Sequence, residues 1–133
     1  MGRHELREQV FKLIFRVEFN PLEEMDEQTR LFLENEESIV EEKDAESIKA
    51  RYEKVQEKIA EIDVLLDEKA EGWSTKRMGK IELAILRLAV YEILFDDDIP
   101  TGVAINEAVE IAKKYGQDNS GSFVNAILAK FVN

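Results

Sequence analysis

His4 is the only histidine of the chain and cysteine is absent, so the side chains that usually build nucleophiles and metal clusters are nearly missing. A Ser-His-acid triad would need this near-terminal residue as its base. Thiolate zinc sites, thiol nucleophiles and iron–sulfur clusters are excluded together. Residues 72–80 (GWSTKRMGK) have the look of a phosphate loop, but six residues separate the glycines and Ile81 stands where a magnesium-binding Ser or Thr belongs. Residues 96–107 (DDDIPTGVAINE) echo a calcium loop, yet Pro100 and Thr101 fill the places of an oxygen ligand and of the turn glycine. Carboxylates are too numerous for one acid–base dyad to stand out. Binding chemistry is left. In residues 114–123 (KYGQDNSGSF) two aromatics stand at the edges of a run of small and polar residues, and aromatics so placed are what a nucleobase stacks upon. A helix-to-helix connection needs the same kind of run, so turn and platform are both open.

The frame that must carry such a surface is bounded by the bulk properties. A chain of 133 residues suits one domain, or two small subdomains sharing a core. Without disulfides the fold must hold by packing, which fits a reducing compartment. No apolar run reaches membrane-spanning length and the first residues lack a signal-peptide core, so a soluble cytoplasmic protein is expected. The net charge of −11 opposes phosphate binding when taken alone, but its distribution is uneven. Residues 1–17 hold four bases against two acids, residues 18–73 nineteen acids against seven bases, and the remainder is nearly balanced. A repulsive middle can coexist with a basic end.

Apolar spacing predicts helices throughout. Leu6, Val10, Leu13, Ile14 and Val17 give an amphipathic helix over about 4–19. Asn20-Pro21 predicts a restart with Asn as N-cap, running to about Glu36. Ser38 to Glu41 has the form of a capping box before a helix whose apolar side is Ile48, Tyr52, Val55, Ile59, Ile62 and Leu66, reaching about Glu71; its charged side predicts a solvated face. Gly72-Trp-Ser74 punctuates the chain. From Lys80 to Phe95 the residues are apolar on nearly every side, which predicts a central strut, with Arg87 inside it as an ion-pair partner of Glu92 or Glu107. Thr101 is the expected cap of a helix to Tyr115, Gly116 its left-handed stop, and Asp118, Asn119 or Ser120 the cap of a last helix through Phe123, Val124, Ile127, Leu128 and Phe131. The fold class is all-α, with about six or seven helices and no convincing strand.

Three segments then coincide in order and spacing: ILRLAVYEI (85–93), IPTGVAINEAVEIA (99–112) and FVNAIL (123–128). Together they closely resemble the bacterial transcription antitermination factors of the NusB family, densely over about residues 73–131. Arg3-His-Glu-Leu-Arg-Glu8 followed by Phe15 also resembles that family's opening helix. The resemblance implies two small helical bundles sharing a core, about 1–71 and about 72–133 within one RNA-binding domain, and a non-enzymatic role without cofactors. It further implies binding of boxA-type single-stranded RNA from ribosomal operons, as a heterodimer with NusE, a small-subunit ribosomal protein, within the RNA polymerase antitermination complex and its other Nus factors. Carried over by position, Arg3, His4 and Arg7 fall on the arginine-rich helix start, Tyr115, Asn119 and Phe123 on the loop contacts, and Phe15 and Glu82 on the NusE side.

Two departures matter. His4 and Glu5 interrupt the basic start, which predicts weak RNA binding without the partner, and Asn119 stands where the family commonly has aspartate. Stacking by Tyr115 and Phe123, a base-edge bond from Asn119, backbone approach by Ser120 and Ser122, and phosphate contacts from Arg3 and Arg7 with Lys113 and Lys114 adding field would supply every element of single-strand recognition. Packing in the core is the competing role for Tyr115 and Phe123. Alternatives are a helical protein-interaction or assembly factor and an RNA-binding module serving a ribosomal-RNA methyltransferase on a separate chain. A homodimer is compatible with all of these, since an isologous interface leaves no mark distinguishable from ordinary core.

Overall fold

A computed structural model describes residues 1–132. Among these the chain forms α1 (Arg3–Arg16), a 3-10 turn (Leu22–Glu24), α2 (Met25–Asn35), α3 (Glu42–Lys69), α4 (Lys80–Phe95), α5 (Thr101–Tyr115) and α6 (Ser120–Ala129), with no strand. The expected strut is α4, in which every residue from Leu83 to Glu92 is buried. It packs against α1, α3, α5 and α6, while α1 also meets α2 and α3, and α5 lies along α6. One apolar cluster runs through all six helices, from Val10, Leu13 and Ile14 through Tyr52, Ile62 and Leu66 to Ile111, Val124 and Leu128. No helix among the described residues is long and apolar enough to cross a membrane.

The helices form where the apolar period placed them, but their ends are made differently. Helix α1 stops at Arg16, three residues early, because the Asn20 side chain donates to the Arg16 carbonyl at 2.9 Å. Asn20 thus closes the first helix instead of capping the second. Ser38 makes no capping box: α3 starts at Glu42 without a side-chain cap, and the Ser38 hydroxyl lies between Gln9 and Glu36. Helix α3 then runs unbroken for 28 residues. Thr101 is the first residue of α5 behind Pro100, not its cap.

Gly116 is extended, with φ −94° and ψ −162°, rather than left-handed. A side chain is excluded there by crowding: a Cβ would lie 2.5 Å from the Ser120 hydroxyl and 2.8 Å from the Ala112 carbonyl. The left-handed glycine is Gly72, φ 79°, where the chain leaves α3.

Arg87 is the ion-pair partner foreseen, but not of Glu92 or Glu107. Its guanidinium forks onto Asp63 at 2.9 and 2.7 Å and reaches Glu18 through the remaining nitrogen. Burial works to lower its pKa, and the two carboxylates overcome this and raise it, so the charge persists inside the helix contact. The network joins α4 to α3 and to the turn after α1.

Candidate nucleic-acid interface

The start of α1 and the end of α5 lie side by side. His4 Nδ1 meets the Glu107 carboxylate and His4 Nε2 lies 3.9 Å from Glu8. Glu8, only 5 % exposed, accepts a hydrogen bond from the Tyr115 hydroxyl and pairs with Lys114 at 2.6 Å. Burial pushes the Glu8 carboxyl up, but the bonds from Lys114 and Tyr115 prevail and hold it below its ordinary value. The same carboxylate, after burial, pushes the Tyr115 phenol up. Tyr115 also packs its ring on Phe11 at 5.3 Å. The core has claimed most of this side chain.

Of the three residues at the basic start, Arg3 is exposed and lines the mouth of a cleft of about 600 Å³ with Arg51 and Pro100. Arg7 lies deeper: its Nε donates to Glu92 Oε2 at 2.8 Å, with side chains 10 % and 5 % exposed. Burial raises the Glu92 pKa, and Arg7 opposes the rise. Arg7 is therefore a structural cation first.

The α5–α6 elbow holds the other group. Asn119 is exposed at the head of α6 and its side chain makes no capping bond. Ser120, expected near an RNA backbone, is instead buried at 1 % exposure; its hydroxyl accepts from the Gln117 amide at 2.9 Å and donates to Glu82 Oε1 at 3.0 Å. Glu82 thus fastens the elbow to the start of α4. Phe123 is half-buried and meets Trp73 edge-on at 5.3 Å. The structure brings His4, Arg7 and Tyr115 together through Glu8 and Glu107, whereas Phe123 packs on Trp73 and Asn119 stands exposed at the head of α6.

Phe15 sits between Phe11, at 6.5 Å, and Phe19, at 5.0 Å. These rings line a groove of about 570 Å³ with Phe32, Ile81 and the charged side chains of Arg16, Lys12 and Glu36, the last two 3.8 Å apart. Phe19 is 57 % exposed, an aromatic that periodicity assigned to nothing. Lys114 was expected to add field at this surface, but its pairing with Glu8, which spans most of the chain, was not legible. Trp73 carried a signal, as the sole tryptophan beside a run of cations, but Gly72-Trp-Ser74 reads first as a break between helices.

Six helices, four of them packed on the apolar strut α4, with basic and aromatic side chains gathered along α1 and the α5–α6 elbow, define a helical binding module. The chain belongs to the NusB family, which it matches over residues 4–133. It is 54 % identical over 131 residues to the transcription antitermination protein NusB of Agathobacter rectalis, covering 98 % of this chain and 99 % of the relative. Among solved structures it resembles T. maritima NusB, with a TM-score of 0.85 and 37 % identity over 98 % of this chain and 90 % of that one. It also resembles a chain in the crystal structure of antitermination factors NusB and NusE in complex with dsRNA, with a TM-score of 0.79 and 28 % identity over 98 % of this chain and 97 % of that one.

Proposed function

We propose that this protein binds boxA-type single-stranded RNA as a heterodimer with NusE and so supports antitermination by RNA polymerase, with other Nus factors, on ribosomal RNA operons. The carrying observation is family membership along nearly the whole chain. The role is one of binding in the cytoplasm, with no reaction catalysed. Arg3 supplies a free cation for phosphate, and His4 and Arg7, tied to Glu107 and Glu92, support it from behind. Asn119 meets a base edge, Phe123 offers its half-exposed ring, and Tyr115 positions the α5 end from within. The groove at Phe15 and the adjoining start of α4 at Glu82 form the NusE side, where an apolar trough edged by Lys12, Arg16 and Glu36 suits a partner protein.

Few free cations on a chain of net charge −11 predict weak RNA binding alone and tight binding once NusE completes the surface. Anisotropy of a labelled boxA strand, measured with and without NusE and against a duplex of the same sequence, tests this. Arg3→Ala or Phe123→Ala should weaken the heterodimer's binding while circular dichroism shows the helices intact. No binding under either condition would sink the proposal, and binding without any gain in terminator read-through would favour the methyltransferase-module alternative.

A further inference from the structure

We infer that the α3–α4 turn, residues 72–80, is a further RNA contact in which Trp73 stacks a base and Lys76 and Arg77 meet phosphates; this rests on the RNA-binding proposal above. In a strongly acidic chain these nine residues contain three bases, no acid and the only tryptophan. Trp73 is 47 % exposed, and Lys76 and Arg77 are both exposed. Neither cation is in an ion pair among the described residues, whereas Arg7, Arg51 and Arg87 are all held by carboxylates. A phosphate can therefore approach here without breaking a buried pair.

The turn is also built to stay in place. Thr75 N donates to Asp67 Oδ1 at 2.6 Å, and the Trp73, Arg77 and Met78 amides bond back to Ala70 and Ser74. Met78 is buried and anchors the far end. A rigid, preformed platform loses little conformational freedom on binding. Arg77 lies over the indole at 5.9 Å; an exposed cation–π contact of that kind is weaker than base stacking on an aromatic. The incoming base can thus displace the guanidinium, which turns to the neighbouring phosphate.

Position argues for the same ligand as the elbow. Trp73 touches Phe123, so a strand contacting Phe123 reaches the indole next. At the other end of the turn Lys80 lies 5.6 Å over the Phe19 ring, beside the partner groove. Single-stranded nucleic acid is bound by this combination of stacking rings and free cations.

The test places 5-fluorotryptophan in this chain alone, adds NusE, and then titrates single-stranded boxA RNA while following the fluorine resonance of Trp73 and, in parallel, the anisotropy of labelled RNA. The resonance should shift at the RNA step. Trp73→Ala should weaken binding about 5- to 150-fold, with Trp73→Phe recovering most of it because a stacking ring returns. Lys76→Ala with Arg77→Ala, both surface changes, should flatten the salt dependence by about 1.4 logarithmic units per decade, two phosphates' worth on a single strand. RNA binding by anisotropy with an unmoved resonance and an unchanged salt slope would overturn this inference alone. An absence of RNA binding by the unaltered heterodimer would overturn the RNA-binding proposal and this contact with it.

Discussion

Arg7→Ala separates the structural duty of this residue from any duty toward phosphate. The Arg7–Glu92 bond is 2.8 Å long between side chains 10 % and 5 % exposed, and removing one partner of such a pair strands the other charge at a cost of about 3–5 kcal/mol. For a domain of this size the loss lowers Tm by roughly 10–20 °C. Replacing both members, as Arg7→Met with Glu92→Met, should return stability to within about 1 kcal/mol of the parent, since apolar side chains of similar volume avoid the desolvation of both charges.

The deficit should also depend on pH. Burial raises the Glu92 pKa and Arg7 restrains the rise, so the alanine variant raises it further. A carboxyl whose folded pKa lies above its unfolded value contributes stability below the unfolded value and loses it as pH rises through the folded one. The gap between variant and parent is therefore small near the ordinary carboxylate pKa and widens toward neutrality. Urea unfolding followed by circular dichroism at a series of pH values measures it. A deficit under about 1 kcal/mol, flat with pH and equal in the single and double variants, would refute the buried-pair account and free Arg7 for direct RNA contact.

Other perturbations follow from the same structure. Gly116→Ala should cost about 1–3 kcal/mol through its clash with Ser120, while Gly102→Ala, exposed within α5 and with nothing near its Cβ, should stabilise by about 0.5–1 kcal/mol; thermal melts of the two decide. The Tyr52 hydroxyl is buried without a hydrogen-bond partner and its pKa is pushed up to about 12, chiefly by burial, so Tyr52→Phe should leave stability unchanged or higher, and a loss above about 1 kcal/mol would reveal a missed partner. Glu8, held below its ordinary pKa, contributes stability above the ordinary carboxylate value that is lost as pH falls through the depressed one; Glu8→Gln should remove that acid-side slope from a pH series of urea midpoints. Asn119→Asp places a charge on the exposed elbow and should weaken RNA binding by the heterodimer about fivefold, the effect of roughly 1 kcal/mol between near charges in water, read by anisotropy.

What could be read in advance depended on how local the cause was. Helix α4 begins and ends where its composition changes, because a helix apolar on every side has one place to go. Caps were less legible: Asn20, Ser38 and Thr101 are all competent cap residues, but a side-chain oxygen or amide in a sequence does not show which helix end it will face. Arg87 illustrates the longer range. Its partners Asp63 and Glu18 lie 24 and 69 residues away, and Asp63 belongs to the side of α3 that its charge assigned wholly to solvent. At the site, the exposure of Asn119 followed from the turn itself, whereas the burial of Arg7 and Tyr115 came from carboxylates on other helices. The pairing of Trp73 with Phe123 required the α3–α4 turn and α6 to meet in space.

The burial of α4 on all sides carries a consequence for synthesis. A ribosome delivers residues in order at about 5–20 per second, so α1, α2 and α3 emerge before the helix that covers their apolar faces. For several seconds Leu13, Ile14, Ile62 and Leu66, all buried in the finished molecule, have only one another and the solvent. The densely acidic middle of the chain, nineteen acids against seven bases over residues 18–73, sets like charges against the association of unfinished copies until the strut arrives and the fold closes around it.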